Sequence, residues 1–189
     1  NLPVPGGPTG TLALQSIGPP QAALGFPPRF ALRRPLTSTL SLMNETVLRD
    51  LGIFEGILQH LRVSEPSSLL GFRVQPARRW RSSPIAQRSI VPLWECGTVL
   101  TYFDQSSATY RRCSLEGPKT DWFSYRSLQA ALARLFIDLY EDELPDEEML
   151  ALAKTVGFRY AERLITESAG LNREAYHVWA SAFPQACEA

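Results

Sequence analysis

The feature that most constrains the fold is a switch from strand-like to helix-like patterning in the middle of the chain. Residues 88–93, 98–103 and 109–115 are rich in β-branched and aromatic residues and are separated by turn residues. Residues 125–141 then place leucines at helical spacing, and this apolar stripe needs a surface on which to pack. The sequence therefore predicts an α+β fold in which an antiparallel or mixed sheet of about three to five strands packs against helices.

The segments before this block have less regular patterns. Residues 44–62 carry apolar side chains at mixed three- and four-residue spacings, which predicts one amphipathic helix. Gly52 and Gly56 each disfavour that helix by about 1 kcal/mol relative to alanine. Residues 69–74 predict a strand, and residues 75–84 predict a proline-bounded loop rich in arginine.

Three further helices are predicted after the central block, at residues 146–156, 159–168 and 172–183. Gly157 stands where a left-handed residue commonly ends a helix, and Pro184 follows the last helix. The domain is therefore expected to end in a helical tail.

The first 43 residues differ in composition from the rest, with eight prolines, five glycines and no acidic residue. Proline removes backbone donors and glycine costs chain entropy, so we predict a flexible or irregular extension here. The first methionine, Met43, directly precedes the first predicted helix. We therefore expect a single folded domain over residues 44–189 and interpret the upstream stretch as a processed or accessory segment.

The three cysteines, Cys96, Cys113 and Cys187, form no C-x-x-C pair and are odd in number. A hairpin that turns at residues 104–107 would put Cys113 opposite Thr98 and diagonal to Cys96. Diagonal neighbours lie about 7 to 8 Å apart, beyond the roughly 3.5 to 4.5 Å between Cβ atoms in a disulfide. We expect buried free thiols and a cytoplasmic setting. The chain also has no apolar run of membrane-spanning length and no secretory signal at its N-terminus.

Opposite charges are separated along the chain, although they cancel overall. Nineteen basic residues balance nineteen acidic ones, which disfavours a bulk binder of nucleic acid or membrane surfaces. Residues 1–90 carry ten bases and four acids, whereas residues 91–189 carry nine bases and fifteen acids. This distribution predicts two surfaces of opposite sign that could each meet a partner.

The acidic surplus is concentrated in one stretch, which we call the acidic segment. Its members are Asp138, Glu141, Asp142, Glu143, Asp146, Glu147 and Glu148. They span a predicted helix junction at Pro145, where acids in the first turn of the following helix are stabilised by its dipole. A solvated helix cap, a docking surface for a basic partner, and a metal or carboxylate-pair site are the three interpretations.

The basic counterpart, the basic segment, comprises Arg73, Arg78, Arg79, Trp80, Arg81 and Arg88. Arginines around an aromatic residue are a minimal composition for binding phosphates and stacking bases. Because seventeen of the nineteen basic residues in the chain are arginines, an ordinary exposed loop is the first interpretation of the same stretch, and a contact surface for a protein is a further alternative.

Catalytic patterns are lacking in the sequence. The two histidines, His60 and His177, fall on separate predicted helices, and no nucleophile elbow, phosphate-binding loop or H-E-x-x-H motif occurs. No cofactor is expected, and an enzyme would need a site assembled from distant residues. Large aromatic residues at the transition from sheet to helix are interpreted as core, with a ligand-binding patch as the alternative; they are Trp94, Trp122, Phe123 and Tyr125.

Within residues 90–143, a set of mostly apolar positions forms a pattern; they are Pro92, Leu93, Trp94, Gly97, Trp122, Tyr125, Ser127, Leu128, Leu132 and Phe136. Through this pattern, the stretch resembles the SUKH superfamily. The resemblance implies an α+β domain with a non-enzymatic role, since many such proteins look like immunity partners that neutralise a toxin, often a nuclease, and others are regulatory binding modules.

These expectations combine into one functional prediction. The chain is expected to be a protein-binding domain, of immunity type, that meets a basic toxin through Glu141, Asp142, Glu143, Asp146, Glu147 and Glu148. The alternative is a nucleic-acid-binding module that uses the basic segment, and the third interpretation is an enzyme.

Overall fold

A four-stranded antiparallel sheet lies at the centre of the fold. The computed structural model describes residues 45–63, 66–117 and 121–188. Its strands are β1 (Ile90–Cys96), β2 (Val99–Asp104), β3 (Thr109–Ser114) and β4 (Asp121–Tyr125). Each strand pairs with its neighbour in sequence, in the order β1-β2-β3-β4. Together with the helices described below, this meander confirms the predicted α+β fold.

The hairpin formed by β2 and β3 differs from the predicted register. Asp104 pairs with Thr109, so that Cys113 lies opposite Leu100 rather than Thr98. The strand pairing continues through Asp104, which moves the register by two residues and leaves each side chain on its predicted face of the sheet. The three cysteines are free, as predicted, but Cys96 is only half-buried.

The predicted helix over residues 44–62 is wrong, because two helices occupy this region. Residues 45–50 are helical (α1), and α2 covers Glu55–Arg62. Gly52 lies between them with a φ of +81°, a left-handed conformation that interrupts the helix. The break lets α2 change direction and pack on a later helix.

The predicted strand at residues 69–74 is also wrong, since Leu69–Arg73 forms a short helix, α3. The side chain of Ser68 accepts the N–H of Gly71 at 3.1 Å and caps the helix at its N-terminus. A short apolar run is compatible with a strand or with a buried helix, and here the N-terminal cap at Ser68 favours the helix. The predicted arginine-rich loop follows, with 3-10 turns at Arg79–Ser82 and Pro84–Gln87.

The C-terminal helices are α4 (Leu128–Glu141), α5 (Asp146–Val156), α6 (Ala161–Ser168) and α7 (Arg173–Ala186). The bounds of α5 match the prediction, and Gly157 ends it with a φ of +72°. Helix α4 begins at Leu128 rather than Tyr125 because β4 extends to Tyr125 and Ser127 caps the helix. Helix α7 continues past Pro184, whose missing donor falls in its last turn.

Two hydrophobic cores cover the two faces of the sheet. The larger core packs the helices, including Leu132 and Phe136 of α4, against the face that carries Tyr110 and Tyr125. The smaller core contains Leu100, Tyr102 and Cys113 on the other face, together with Ile85. The arginine-rich stretch between α3 and β1 covers this second face.

All described residues belong to one compact unit, and the predicted extension over residues 1–43 lies outside them. Among these residues, none of the helices combines the length and the hydropathy that crossing a bilayer requires.

Candidate functional site

The acidic segment lies where α4 ends and α5 begins, and its seven carboxylates differ in exposure. Asp138 is buried and Asp142 is half-buried. The exposed members are Glu141, Glu143, Asp146, Glu147 and Glu148. The segment therefore has an inner and an outer part, which take different roles.

The inner carboxylates are paired with arginines, two of which come from distant parts of the chain. Asp138 lies 2.6 Å from a guanidinium nitrogen of Arg112 on β3 and 2.6 Å from one of Arg134 on its own helix. Asp142 accepts two hydrogen bonds from Arg73, at 2.5 and 2.6 Å, in the bidentate geometry that suits guanidinium and carboxylate groups. These pairs join α3 and β3 to α4.

The outer carboxylates have few partners. Glu141 contacts Arg134 at 3.5 Å and accepts the hydroxyl of Tyr176 at 3.4 Å. Within the described ranges, no ion pair or side-chain hydrogen bond involves the other four outer acids. We call these four the outer acidic face; they are Glu143, Asp146, Glu147 and Glu148. Three of them occupy the first turn of α5, where the helix dipole stabilises negative charge.

The basic segment is divided in the same way. Arg73 binds Asp142, and Arg88 turns towards the sheet, so these two arginines are engaged inside the fold. Arg78, Arg79 and Arg81 are exposed. The structure therefore separates the six predicted nucleic-acid-binding residues, because only three of the five arginines face solvent; Arg81 lies over the ring of Trp80 at 5.9 Å.

A buried glutamate that the sequence did not single out holds the arginine-rich stretch on the sheet. Glu95 on β1 is only 3% exposed. Its carboxylate accepts the backbone N–H of Trp80 at 2.9 Å and that of Arg79 at 3.2 Å, and its backbone pairs with Gln75. We call this contact the Glu95 clamp. An acid inside the apolar strand IVPLWEC is the sequence signal that could have revealed it.

The second face of the sheet carries a polar cluster that sequence reasoning also missed. Asp121 accepts hydrogen bonds from the hydroxyl of Tyr102 and from Arg111 at 2.5 Å, and lies 3.1 Å from Arg88. Arg88 also binds Asp104 at 2.7 Å. Two arginines balance two aspartates, so the cluster is neutral and its charged groups are mutually satisfied.

The pKa of Asp104 reflects this cluster. Burial alone would raise the pKa, but the hydroxyl and N–H of Ser106, with Arg88 and Arg111, hold it at about 2. Asp104 therefore stays ionised throughout the neutral range. It links the turn at Ser106 to Arg88, which precedes β1, and to Arg111 of β3.

Two cavities open near these features. One of about 310 Å³ lies between α2 and α3 and is bordered by His60, Gly71 and Arg78. Burial lowers the pKa of His60, which favours its neutral form. The other, of about 260 Å³, lies beside the polar cluster and is bordered by Ile85, Arg88 and Asp121.

In the described part of the chain, no group of three His, Cys, Asp or Glu side chains is placed to hold a metal ion. Burial raises the pKa of the Cys113 and Cys187 thiols to about 11, so neither is a thiolate at neutral pH. His60 and His177 lie on α2 and α7, as the sequence predicted.

The aromatic residues at the transition from sheet to helix mostly belong to the core, as interpreted from the sequence. Trp94 and Tyr125 are buried, and Phe123 packs against the larger core. Trp122 differs, because 51% of its surface is exposed.

Comparison with known proteins gives no relative: no family model matches the chain, and neither a curated protein nor a solved structure is similar to it. The resemblance to the SUKH superfamily therefore stays a prediction.

Proposed function

We propose that this chain is a non-enzymatic protein-binding domain that docks on a basic partner protein through its outer acidic face. The observation that carries the proposal is the division of charge within the acidic segment. Asp138 and Asp142 are neutralised inside the fold, whereas the four acids of the outer acidic face point to solvent without an ion pair in the described residues.

Such a face suits selective docking. Clustered exposed carboxylates speed encounter with a positively charged surface and disfavour acidic partners. Asp142 and Glu141, which border the face, already have arginine partners and serve as its rim. The outer acids need no arginine partner within the fold, because the dipole at the N-terminus of α5 stabilises the negative charge of three of them.

The resemblance of residues 90–143 to the SUKH superfamily supports a specific form of this proposal. In that form the chain is an immunity-type protein of the cytoplasm, and its basic partner is a toxin whose positively charged cleft the acidic face covers. Nucleic acid is the weaker candidate ligand, because Arg73 and Arg88 of the basic segment are engaged with carboxylates of the chain itself.

Charge reversal with a matched control tests the proposal. Glu147→Lys/Glu148→Lys reverses two exposed acids in the first turn of α5. Glu162→Lys/Glu174→Lys reverses two exposed acids in the first turns of α6 and α7, with the same change in net charge and a similar disturbance of helix dipoles. Each immobilised protein is exposed to nuclease-treated cell lysate at low and moderate salt, and the retained proteins are quantified by mass spectrometry.

We expect basic proteins to be retained by the wild type and by the Glu162/Glu174 variant, to be lost from the Glu147/Glu148 variant, and to dissociate as salt increases. Equal retention by the two variants would reject the outer acidic face as the docking surface. Single-stranded DNA binding that disappears on Arg78→Ala/Arg81→Ala substitution would favour the nucleic-acid function instead.

A further inference from the structure

The cavity of about 310 Å³ between α2 and α3 has no role in the proposed function. Small-molecule sites in proteins have volumes of about 300 to 1,000 Å³. The cavity therefore has room for a small organic molecule.

Apolar and polar groups both border this cavity, as they do in most small-molecule sites. Among its bordering residues, Arg78 carries the only full positive charge, and no carboxylate of the described residues borders it. A ligand with an apolar body and one negative charge would complement this lining. The apolar side chains are those of Val63, Pro66, Val74 and Pro76, and the polar ones are those of Gln59, His60, Ser67, Gln75 and Arg78.

Arg78 differs from the other arginines of the basic segment, because its guanidinium group has no partner in the described ranges. Such a group beside a cavity without a carboxylate is available for the paired hydrogen bonds that guanidinium makes with a carboxylate ligand. The other four arginines have partners within the fold; these are aspartates for Arg73 and Arg88, the carbonyl oxygen of Gly97 for Arg79, and the ring of Trp80 for Arg81.

The backbone on both sides of Arg78 is held in place. Gln75 pairs with Glu95 through two backbone hydrogen bonds of 2.9 Å, and the Glu95 clamp holds the N–H groups of Arg79 and Trp80. Arg78 is therefore positioned before a ligand arrives, which reduces the entropic cost of binding.

His60 brings a second polar group to the cavity. Its imidazole ring is half-buried and has no hydrogen-bond partner within residues 45–63, 66–117 and 121–188. Burial lowers the pKa of His60, so the neutral ring, with one donor and one acceptor nitrogen, predominates at neutral pH. The donor nitrogen can support an anion at the cavity without adding a second full charge.

We infer that this cavity binds a small organic molecule that carries a single carboxylate group. Arg78 pairs with the carboxylate, His60 donates a hydrogen bond to the ligand, and the two valines and two prolines pack on its apolar part. A carboxylate fits better than inorganic phosphate, because one guanidinium group balances one negative charge and phosphate has no apolar part to bury.

Three small probes test the inference. Benzoate combines a carboxylate with an apolar ring, benzamide keeps the shape without the charge, and inorganic phosphate keeps a negative charge without the ring. Each probe is titrated into the full-length chain at constant pH and ionic strength. The chain has two histidines, whose imidazole C–H signals in NMR spectra report binding: His60 borders the cavity, whereas His177 lies on α7, which does not.

Two arginine substitutions isolate the role of the guanidinium group. Arg78→Gln removes the charge at the cavity. Arg81→Gln removes the same charge from an exposed arginine of the same stretch that does not border the cavity. Circular dichroism with thermal unfolding verifies that both variants are folded.

We expect benzoate to shift the His60 signals saturably, with a dissociation constant below about 10 mM, and to leave the His177 signals unchanged. Benzamide and inorganic phosphate should bind the wild type at least about ten-fold more weakly than benzoate does, and benzoate should bind Arg78→Gln more weakly by a similar factor. Arg81→Gln should bind benzoate as the wild type does.

The inference would be overturned by the absence of a saturable shift at His60, or by equal affinity of the two arginine variants for benzoate. Equal binding of benzoate and either of the other probes would also overturn it. The outer acidic face does not border the cavity, so Glu147→Lys/Glu148→Lys should bind benzoate as the wild type does. Failure of this inference and failure of the proposed function are therefore distinguishable.

Discussion

At the scale of single residues, one glycine controls how closely two helices approach. Gly56 is buried on α2, and a Cβ atom added there would lie 2.6 Å from the backbone oxygen of Thr155 on α5. Such a distance is not tolerated between a carbon and a carbonyl oxygen that belongs to a packed helix. One of the two glycines that disfavour the helix predicted from the sequence is therefore the residue that allows α2 and α5 to touch.

We predict that Gly56→Ala destabilises the protein, although alanine favours a helix by about 1 kcal/mol over glycine. The added methyl group must push α2 away from α5, which costs about 1 to 3 kcal/mol. The free energy of unfolding from chemical denaturation measures the effect. Gln59→Ala, at an exposed position of the same helix, is the control and is expected to change stability by less than about 0.5 kcal/mol. A stabilised Gly56→Ala protein would contradict the close approach.

At the scale of elements, the Glu95 clamp shows how a segment with little regular structure is held in place. The stretch from Gln75 to Gln87 contains only a bridge pair and two 3-10 turns. It contributes Ile85 to the smaller core and supplies two backbone N–H groups to Glu95. Its position on the sheet therefore depends strongly on one carboxylate.

We predict that Glu95→Ala lowers the free energy of unfolding by about 1 to 3 kcal/mol, because partly buried N–H groups lose a charged acceptor. Glu95→Gln keeps one acceptor oxygen and should cost less. Denaturant unfolding measures both losses, and limited proteolysis between residues 75 and 88 measures detachment of the stretch. The clamp would be refuted if Glu95→Ala were cleaved no faster than the wild type.

Elements whose signals are local were the ones that could be predicted from the sequence. Strands β1 to β3 and α5 follow from strand-forming residues, turn residues and Gly157, all within short windows, whereas β4 was not predicted. The division of residues 45–62 into two helices was not predicted, because a glycine in a helical pattern indicates only a weaker helix, whereas the break depends on the left-handed conformation that Gly52 adopts in the fold. The inner part of the candidate site was inaccessible because Arg73 and Asp142 are 69 residues apart. The exposed acids of α5 could be predicted, since helix-capping chemistry places them.

At the scale of the whole molecule, the apparent separation of charge along the chain is partly cancelled by folding. Arginines of the basic half reach acids of the acidic half, as Arg73 does with Asp142 and Arg88 with Asp104 and Asp121. These contacts join the stretch before β1 to the sheet and to α4. Stability is therefore expected to depend on pH through the buried aspartates.

We predict that Asp104 contributes to acid unfolding. Its pKa of about 2 in the folded state lies below its ordinary value of 3.8, so its stabilising effect is complete above that value and is lost as the pH falls towards about 2. Asp104→Asn should be less stable at neutral pH and should lose less stability between about pH 4 and pH 2. Denaturant unfolding at a series of pH values measures this.

The exposed substitution Asp50→Asn controls for the loss of one negative charge. If the free energy of unfolding of Asp104→Asn fell as steeply at acid pH as that of the wild type, other carboxylates would account for the loss.

The two faces of the sheet are covered to different extents, so one part of the native structure is expected to open before the rest. One face lies under several packed helices, whereas the other lies under a short stretch secured by a small core, the Glu95 clamp and the polar cluster. Regions with few buried apolar contacts open at lower free energy than the global unfolding of a domain. Release of that stretch alone would expose the Cys113 thiol and break the backbone hydrogen bonds between the stretch and β1, while α4 remained folded. The amide protons of Gln75, Arg79, Trp80 and Glu95 should therefore exchange through a partial opening, and the thiol of Cys113 would report how often it occurs.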